Sequence, residues 1–163
     1  MFSPAEIVDI SIDNGIKKIQ KPLLAKLILG FIGGAMISLG YLAYIRVSAS
    51  IPASLASVQA FVGASVFPIG LIVILMAGGE LITGNMMAVS IAFMDKKISF
   101  KDLLINFLTI TFANLVGALF VAYFFGHLVG LTHSGVYLDQ LLSLAASFFI
   151  FFVQRFESVF VVA

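Results

Sequence analysis

The sequence predicts an all-α integral membrane protein. Three observations carry that expectation: an excess of apolar residues, uncharged runs long enough to cross a bilayer, and lysines gathered at one side of those runs. Of the 163 residues, 61% are hydrophobic and 10% are charged, whereas an average soluble domain carries roughly 25% charged residues. So short a chain has too little interior to bury that many apolar side chains away from water, and a lipid surround accommodates them. The net charge of +1 offers no basic face for nucleic acid. The lack of cysteine excludes disulfides, thiolate metal sites and thiol nucleophiles. With no Trp either, any aromatic belt falls to Tyr and Phe.

Residues 1–26 read as an amphipathic cytoplasmic helix. The opening MFSPAEIVDIS places acids before any base and lacks the apolar core of a signal peptide. Ser3, Pro4 and Glu6 have the spacing of a capping box with Pro in the first turn. Asp13 and Lys17 stand four apart with the acid first, the better order on a helix. Ile7 and Ile10 give it an apolar side suited to the membrane surface; an ordinary solvated leader is the alternative.

Residues 27–126 read as three transmembrane spans. Leu27 to Ile45 is uncharged and long enough for ~30 Å of hydrocarbon. Its stripe of Gly30, Gly33, Gly34 and Ser38 lets a second helix approach closely. After a loop at Pro52, the apolar segment Phe61–Met94 would reach about 50 Å as one straight helix, too long for one span. Lys17, Lys18, Lys21 and Lys26 precede the first span, and Lys96, Lys97 and Lys101 follow the long segment. A single interrupted span puts both clusters on the cytoplasmic side, as the positive-inside rule prefers; two spans would separate them. The interruption falls at Ala77-Gly78-Gly79-Glu80-Leu81-Ile82-Thr83-Gly84-Asn85. Irregular backbone at membrane depth persists where it is buried in protein or lines a cavity, and a half-helix N-terminus there aims free N–H groups at an anion. Glu80 is expected to cap the broken helix or to bind the freed N–H groups. Leu103–Gly126 is the third span, and Asn106 and Asn114 within it are expected to glue helices. Residues 127–163 read as an external loop free of Lys and Arg to Asp139, then a short fourth apolar segment, Leu141–Val153, interrupted by Arg155 and Glu157 beyond it. His127 and His133 are expected to be plain loop histidines.

The motif Ala77 to Asn85 resembles the first signature of the formate/nitrite transporter family, which includes hydrosulfide channels. Thr111-Phe112-Ala113-Asn114-Leu115-Val116-Gly117-Ala118 resembles its third helix, and Ser3-Pro4-Ala5-Glu6 with the Gly-rich Leu29–Gly40 stretch also fits. The resemblance covers Phe2 to Asp139. It implies the first repeat of an aquaporin-like inverted-repeat helical bundle, assembled as a homo-oligomer (a pentamer) with one pore per protomer in the cytoplasmic membrane. It further implies that Leu81 narrows the pore, that Thr83 hydrogen-bonds toward a central histidine, and that Phe67 and Leu71 narrow the path earlier. Beyond Asp139 the family's fifth-helix signature is not found, and His127 and His133 do not replace its histidine; a shifted reading frame and a deletion are both open. The implied function is a channel for small monovalent anions such as formate, nitrite or hydrosulfide, without cofactor or metal. The alternative is a non-transporting membrane fragment or an assembly subunit. An intramembrane enzyme is not expected, because no second acid or histidine accompanies Glu80 in the spans.

Overall fold

The structure, a computed structural model, describes residues 2–133 and 135–147. The described residues are predominantly helical, with no strand among them. In chain order the helices are α1 (Pro4–Gln20), α2 (Leu23–Ser48), α3 (Ala56–Val66), α4 (Pro68–Ala77), α5 (Ile82–Met94) and α6 (Phe100–Val121). One 3-10 turn, Ala53–Leu55, leads into α3, and α6 continues into a wider π-helical stretch, Ala122–Leu128. Residues 135–147 are helical as well. The rest of the expected fourth segment, with Arg155 and Glu157, lies outside the described residues.

Among the described residues three helical stretches are long and apolar enough to cross a membrane: Leu23–Ser48, Ala53–Ala77 and Phe100–Leu128. The chain is therefore an all-α, multi-pass membrane protein. The second stretch begins at Ala53, eight residues before the expected Phe61, because Pro52 starts a helical turn instead of a longer loop. At 13 residues, α5 rises only about 20 Å and cannot cross ~30 Å of hydrocarbon alone.

The chain forms two compact units, one of Met1–Gly40 with Pro68–Ala122 and the other of Tyr41–Phe67 with the residues from Tyr123 onward. In the first unit, α2 and α6 meet at small residues, as the stripe predicts. Gly34 lies on the backbone of Asn114, Gly117 lies on the backbone of Phe31, and Gly30 faces the Ala113 methyl. Helix α4 touches this unit along a narrow line, with Gly70 against the Met36 carbonyl and Ile74 buried; its Ile69, Leu71, Ile72, Leu75 and Met76 remain exposed. Helix α1 has its capping box, with the Ser3 side chain and backbone exchanging hydrogen bonds with Glu6. It packs on α5 and α6 through its C-terminal half, where Gly15 stands against the Ala88 carbonyl. Ile7 and Ile10 are exposed, so the apolar side of its first turns stays open to a membrane surface.

In the second unit a polar knot ties α2, α3 and the helix over 135–147. Ser48, fully buried, donates to the Tyr44 carbonyl at 2.7 Å and accepts from Gln140 at 3.1 Å. Gln59 donates to the Ser48 carbonyl and to Gln140, each at 3.2 Å. The Arg46 guanidinium donates to the Leu131 carbonyl at 3.2 Å and lies 4.0 Å over the Tyr137 ring.

Candidate functional site

The buried polar residues of the first unit, Glu80, Asn85 and Asn106, gather at the interruption of the second span. Gly78 has φ +68°, a left-handed conformation that costs glycine nothing, and Gly79 N–H reaches back to the Ile74 carbonyl at 2.9 Å. This is a Schellman ending, and it consumes one of the carbonyls that α4 leaves unpaired. At Gly79 a Cβ would come to 3.3 Å from the Ile74 side chain and 3.4 Å from Gly33 N. Gly84, by contrast, has open space where a side chain would stand, so nothing in this unit demands glycine there.

Helix α5 starts at Ile82 with Leu81 as its N-cap residue and no side-chain cap of its own. The cap arrives from another helix. Asn114 of α6 accepts from Ile82 N–H at 2.9 Å through Oδ1, and through Nδ2 donates to the Gly30 and Glu80 carbonyls, each at 2.7 Å. One amide side chain thus fastens α2, the break and α6, while Glu80 N–H donates to the Leu29 carbonyl at 2.9 Å. The gluing role expected of Asn114 is what the geometry shows.

Glu80 departs from expectation. Its carboxylate accepts no backbone N–H among the described residues; it is 1% exposed and pairs with side chains instead. Lys21 Nζ donates to Oε1 at 2.5 Å and Asn85 Nδ2 to Oε2 at 3.0 Å, with Lys18 Nζ 3.6 Å away. Lys18 donates to Asn85 Oδ1 at 2.7 Å, and Asn85 donates to Asn106 Oδ1 at 2.8 Å. Burial in this cluster pushes the Lys18 ammonium below the ordinary lysine range, and the Glu80 charge only partly opposes that. Two ammonium groups against one carboxylate leave the cluster positive by one charge. Sequence reasoning placed these lysines only as topology signals and missed their partner. The available signal was Glu80 itself, since an acid in an apolar span calls for a counter-charge. Asn106 is fully buried as expected, yet its Nδ2 has no acceptor among the described residues.

Of the four residues expected to line a pore, Leu81 and Thr83 flank the start of α5, the first half-buried and the second exposed. Leu71 lies on the open side of α4, 42% exposed. Phe67 belongs to the other compact unit, where its ring lies 4.7 Å from that of Tyr41. Among the described residues the amides of Thr83 and Gly84 have no acceptor, and the Thr83 hydroxyl has no hydrogen-bond partner. The break therefore presents a helix N-terminus with an exposed hydroxyl at Thr83, and its Glu80 carboxylate is buried in a lysine-rich ion cluster.

Comparison with known proteins agrees with the resemblance. A family model described as formate/nitrite transporter matches residues 5–163, so the match runs past Asp139, where the resemblance was expected to end. An uncharacterized transporter of Bacillus subtilis (strain 168) is 54% identical over 142 residues, covering 87% of this chain and 53% of the relative. A formate channel of Bacillus thuringiensis is 50% identical, over 87% of this chain and 54% of its own length. A formate-nitrite transporter 3 of Toxoplasma gondii is 32% identical over 83% of this chain and 28% of its own. The chain spans about half the length of the two bacterial relatives.

Proposed function

The chain belongs to the formate/nitrite transporter family, and on that premise we propose that it supplies the broken-helix half of a pathway for small monovalent anions such as formate, nitrite or hydrosulfide. The observation that carries this reading is the open start of α5, where the Thr83 and Gly84 amides and the Thr83 hydroxyl are left to a ligand. A helix N-terminus carries a partial positive charge, and its N–H groups suit an anion. No carboxylate competes for those donors, because Glu80 is turned into the protein and held by Lys21 and Asn85. The excess lysine charge behind the break raises the local positive potential, which favours anion approach.

The apolar residues supply the barrier. In this reading Leu71 and Leu81 form a greasy constriction, and full dehydration of an ion there is costly. Small weak acids meet that cost by picking up a proton and passing as the neutral species. In this reading 1–26 is a cytoplasmic helix, 27–126 the three spans of the first repeat and 127–163 the external loop and fourth segment. The partners are lipid and further copies of the chain in a homo-oligomer of the cytoplasmic membrane.

The test is flux through liposomes containing this chain joined to the second half of the Bacillus subtilis relative. Saturable formate or nitrite uptake is expected, and Thr83→Val is expected to alter the rate or its pH dependence while the size-exclusion profile stays native. Uptake no faster than in protein-free liposomes, from an intact assembly, sinks the transport reading and leaves the assembly-subunit alternative.

A further inference from the structure

The second compact unit holds an arrangement that the anion pathway does not use. His127 and His133 are exposed, yet the backbone brings them together. After the π-helical end of α6 the chain reverses at Gly130, whose φ is +75°. Leu131 N–H donates to the Phe125 carbonyl and Thr132 N–H to the Gly126 carbonyl, each at 3.3 Å. The Thr132 hydroxyl donates to that same Gly126 carbonyl at 3.1 Å, and His133 N–H donates to the Gly130 carbonyl at 3.3 Å. A Cβ on Gly130 would stand 3.5 Å from His133 Nδ1, so the ring folds back over bare backbone. As a result His133 Nε2 lies 3.1 Å from His127 Nδ1, with the ring centroids 5.1 Å apart. The Tyr123 ring flanks His127 at 5.9 Å.

We propose that His127 and His133 form a two-imidazole chelate for a late first-row divalent metal ion, of the class of Ni2+, Cu2+ and Zn2+. Imidazole nitrogens bind such ions at about 2.0–2.1 Å, and two of those bonds at square or tetrahedral angles separate the nitrogens by about 2.9–3.3 Å. The observed 3.1 Å falls within that interval. The two facing nitrogens now share one proton in a hydrogen bond. A metal takes its place when the donating ring moves that proton to its outer nitrogen, so neither neutral ring changes charge. Neutral imidazole suits these ions, whereas Mg2+ and Ca2+ prefer oxygen. Among the described residues no third His, Cys, Asp or Glu joins the pair; water completes the coordination, and the site is open and exchangeable. A bound ion staples the helical end at residue 127 to the chain beyond the turn.

The experiment is a calorimetric titration of Ni2+ into the detergent-solubilised chain, prepared without a polyhistidine tag. One ion per chain is expected. His127→Asn and His133→Asn should each weaken binding roughly tenfold or more, since even losing a group that only orients a ligand costs that much. The double variant should lose the site, with an unchanged size-exclusion profile. Gly130→Val keeps both imidazoles but strains the turn, and is expected to weaken binding as well. Absence of uptake by the native chain, equal uptake by the double variant, or native affinity in Gly130→Val each overturns the proposal.

Discussion

At the scale of single residues, two buried asparagines of α6 do unequal work. Asn114 makes three hydrogen bonds that close the break; Asn106 makes one and has an unpaired Nδ2. Each buried polar group left without a partner costs about 1–3 kcal/mol. Asn114→Ala is therefore expected to lower the detergent melting temperature markedly, and Asn106→Ala far less, since Asn85 keeps its bond to Glu80. Equal losses would contradict the assignment. Glu80 allows a sharper comparison. Lys21→Met leaves a 1%-exposed carboxylate with only Lys18, at 3.6 Å, as counter-charge, and breaking a buried pair from one side costs about 3–5 kcal/mol. Because the Lys21 side chain is 34% exposed, the loss belongs at or below the low end of that range. The double change Lys21→Met with Glu80→Gln should be more stable than Lys21→Met alone in thermal denaturation; if it is less stable, the pair is not what holds the cluster. The importance of Glu80 was legible in the sequence, since a lone acid among apolar residues stands out. Its partner was not, because the pairing is set by how α1 docks on α5 and no local spacing encodes that.

At the scale of elements, caps and apolar runs were the legible features. The Ser3–Glu6 box and the small-residue face of α2 stand where residue spacing predicts them, because both follow from the 3.6-residue period alone. The early start of the second apolar helix at Ala53 and the joint at Phe67–Pro68 were not legible, since Ser and Ala tolerate helix and loop alike. The docking of α1 gives a prediction of its own. At Gly15 a Cβ would meet the Ala88 backbone carbon and the Ala92 methyl, each at 2.9 Å. Gly15→Leu should lift α1 from α5, part the lysines from Glu80, and raise amide exchange and trypsin cleavage at Lys17 and Lys18. Unchanged protection would show that α1 does not depend on this contact. The α1 cap also has a pH signature. A hydrogen bond from the Ser3 backbone holds the Glu6 carboxyl below the usual glutamate range. Its contribution is complete above the ordinary glutamate value and is lost as pH falls through the depressed one. Protection of the first-turn amides, corrected for intrinsic exchange, should fall only on that acid side, and Glu6→Gln should remove the dependence.

At the scale of the whole molecule, the lysines set the expected orientation, with the N-terminus and the loop between α5 and α6 in the cytoplasm. The lack of cysteine makes this directly measurable. Ser99 is a poor reporter because its hydroxyl caps α6 and bonds Asp102; Lys97, 57% exposed, is a better one. Lys97→Cys should resist an impermeant thiol reagent added outside intact cells, and Val136→Cys should react. The opposite pattern would invert the orientation.

The hydrogen bonds of the break also bear on how the chain is made. Lys21 precedes Glu80 by 59 residues, whereas Asn114 follows Ile82 by 32. During synthesis, then, the counter-ion is already waiting when Glu80 emerges, but the cap of α5 does not exist until about two-thirds of α6 has been added. An amide without an acceptor in lipid costs several kcal/mol, so a nascent chain ending before Asn114 has reason to keep its break in water. The capped start of α5 is thus a joint product of the break and α6, complete only once one asparagine of the later helix is in place.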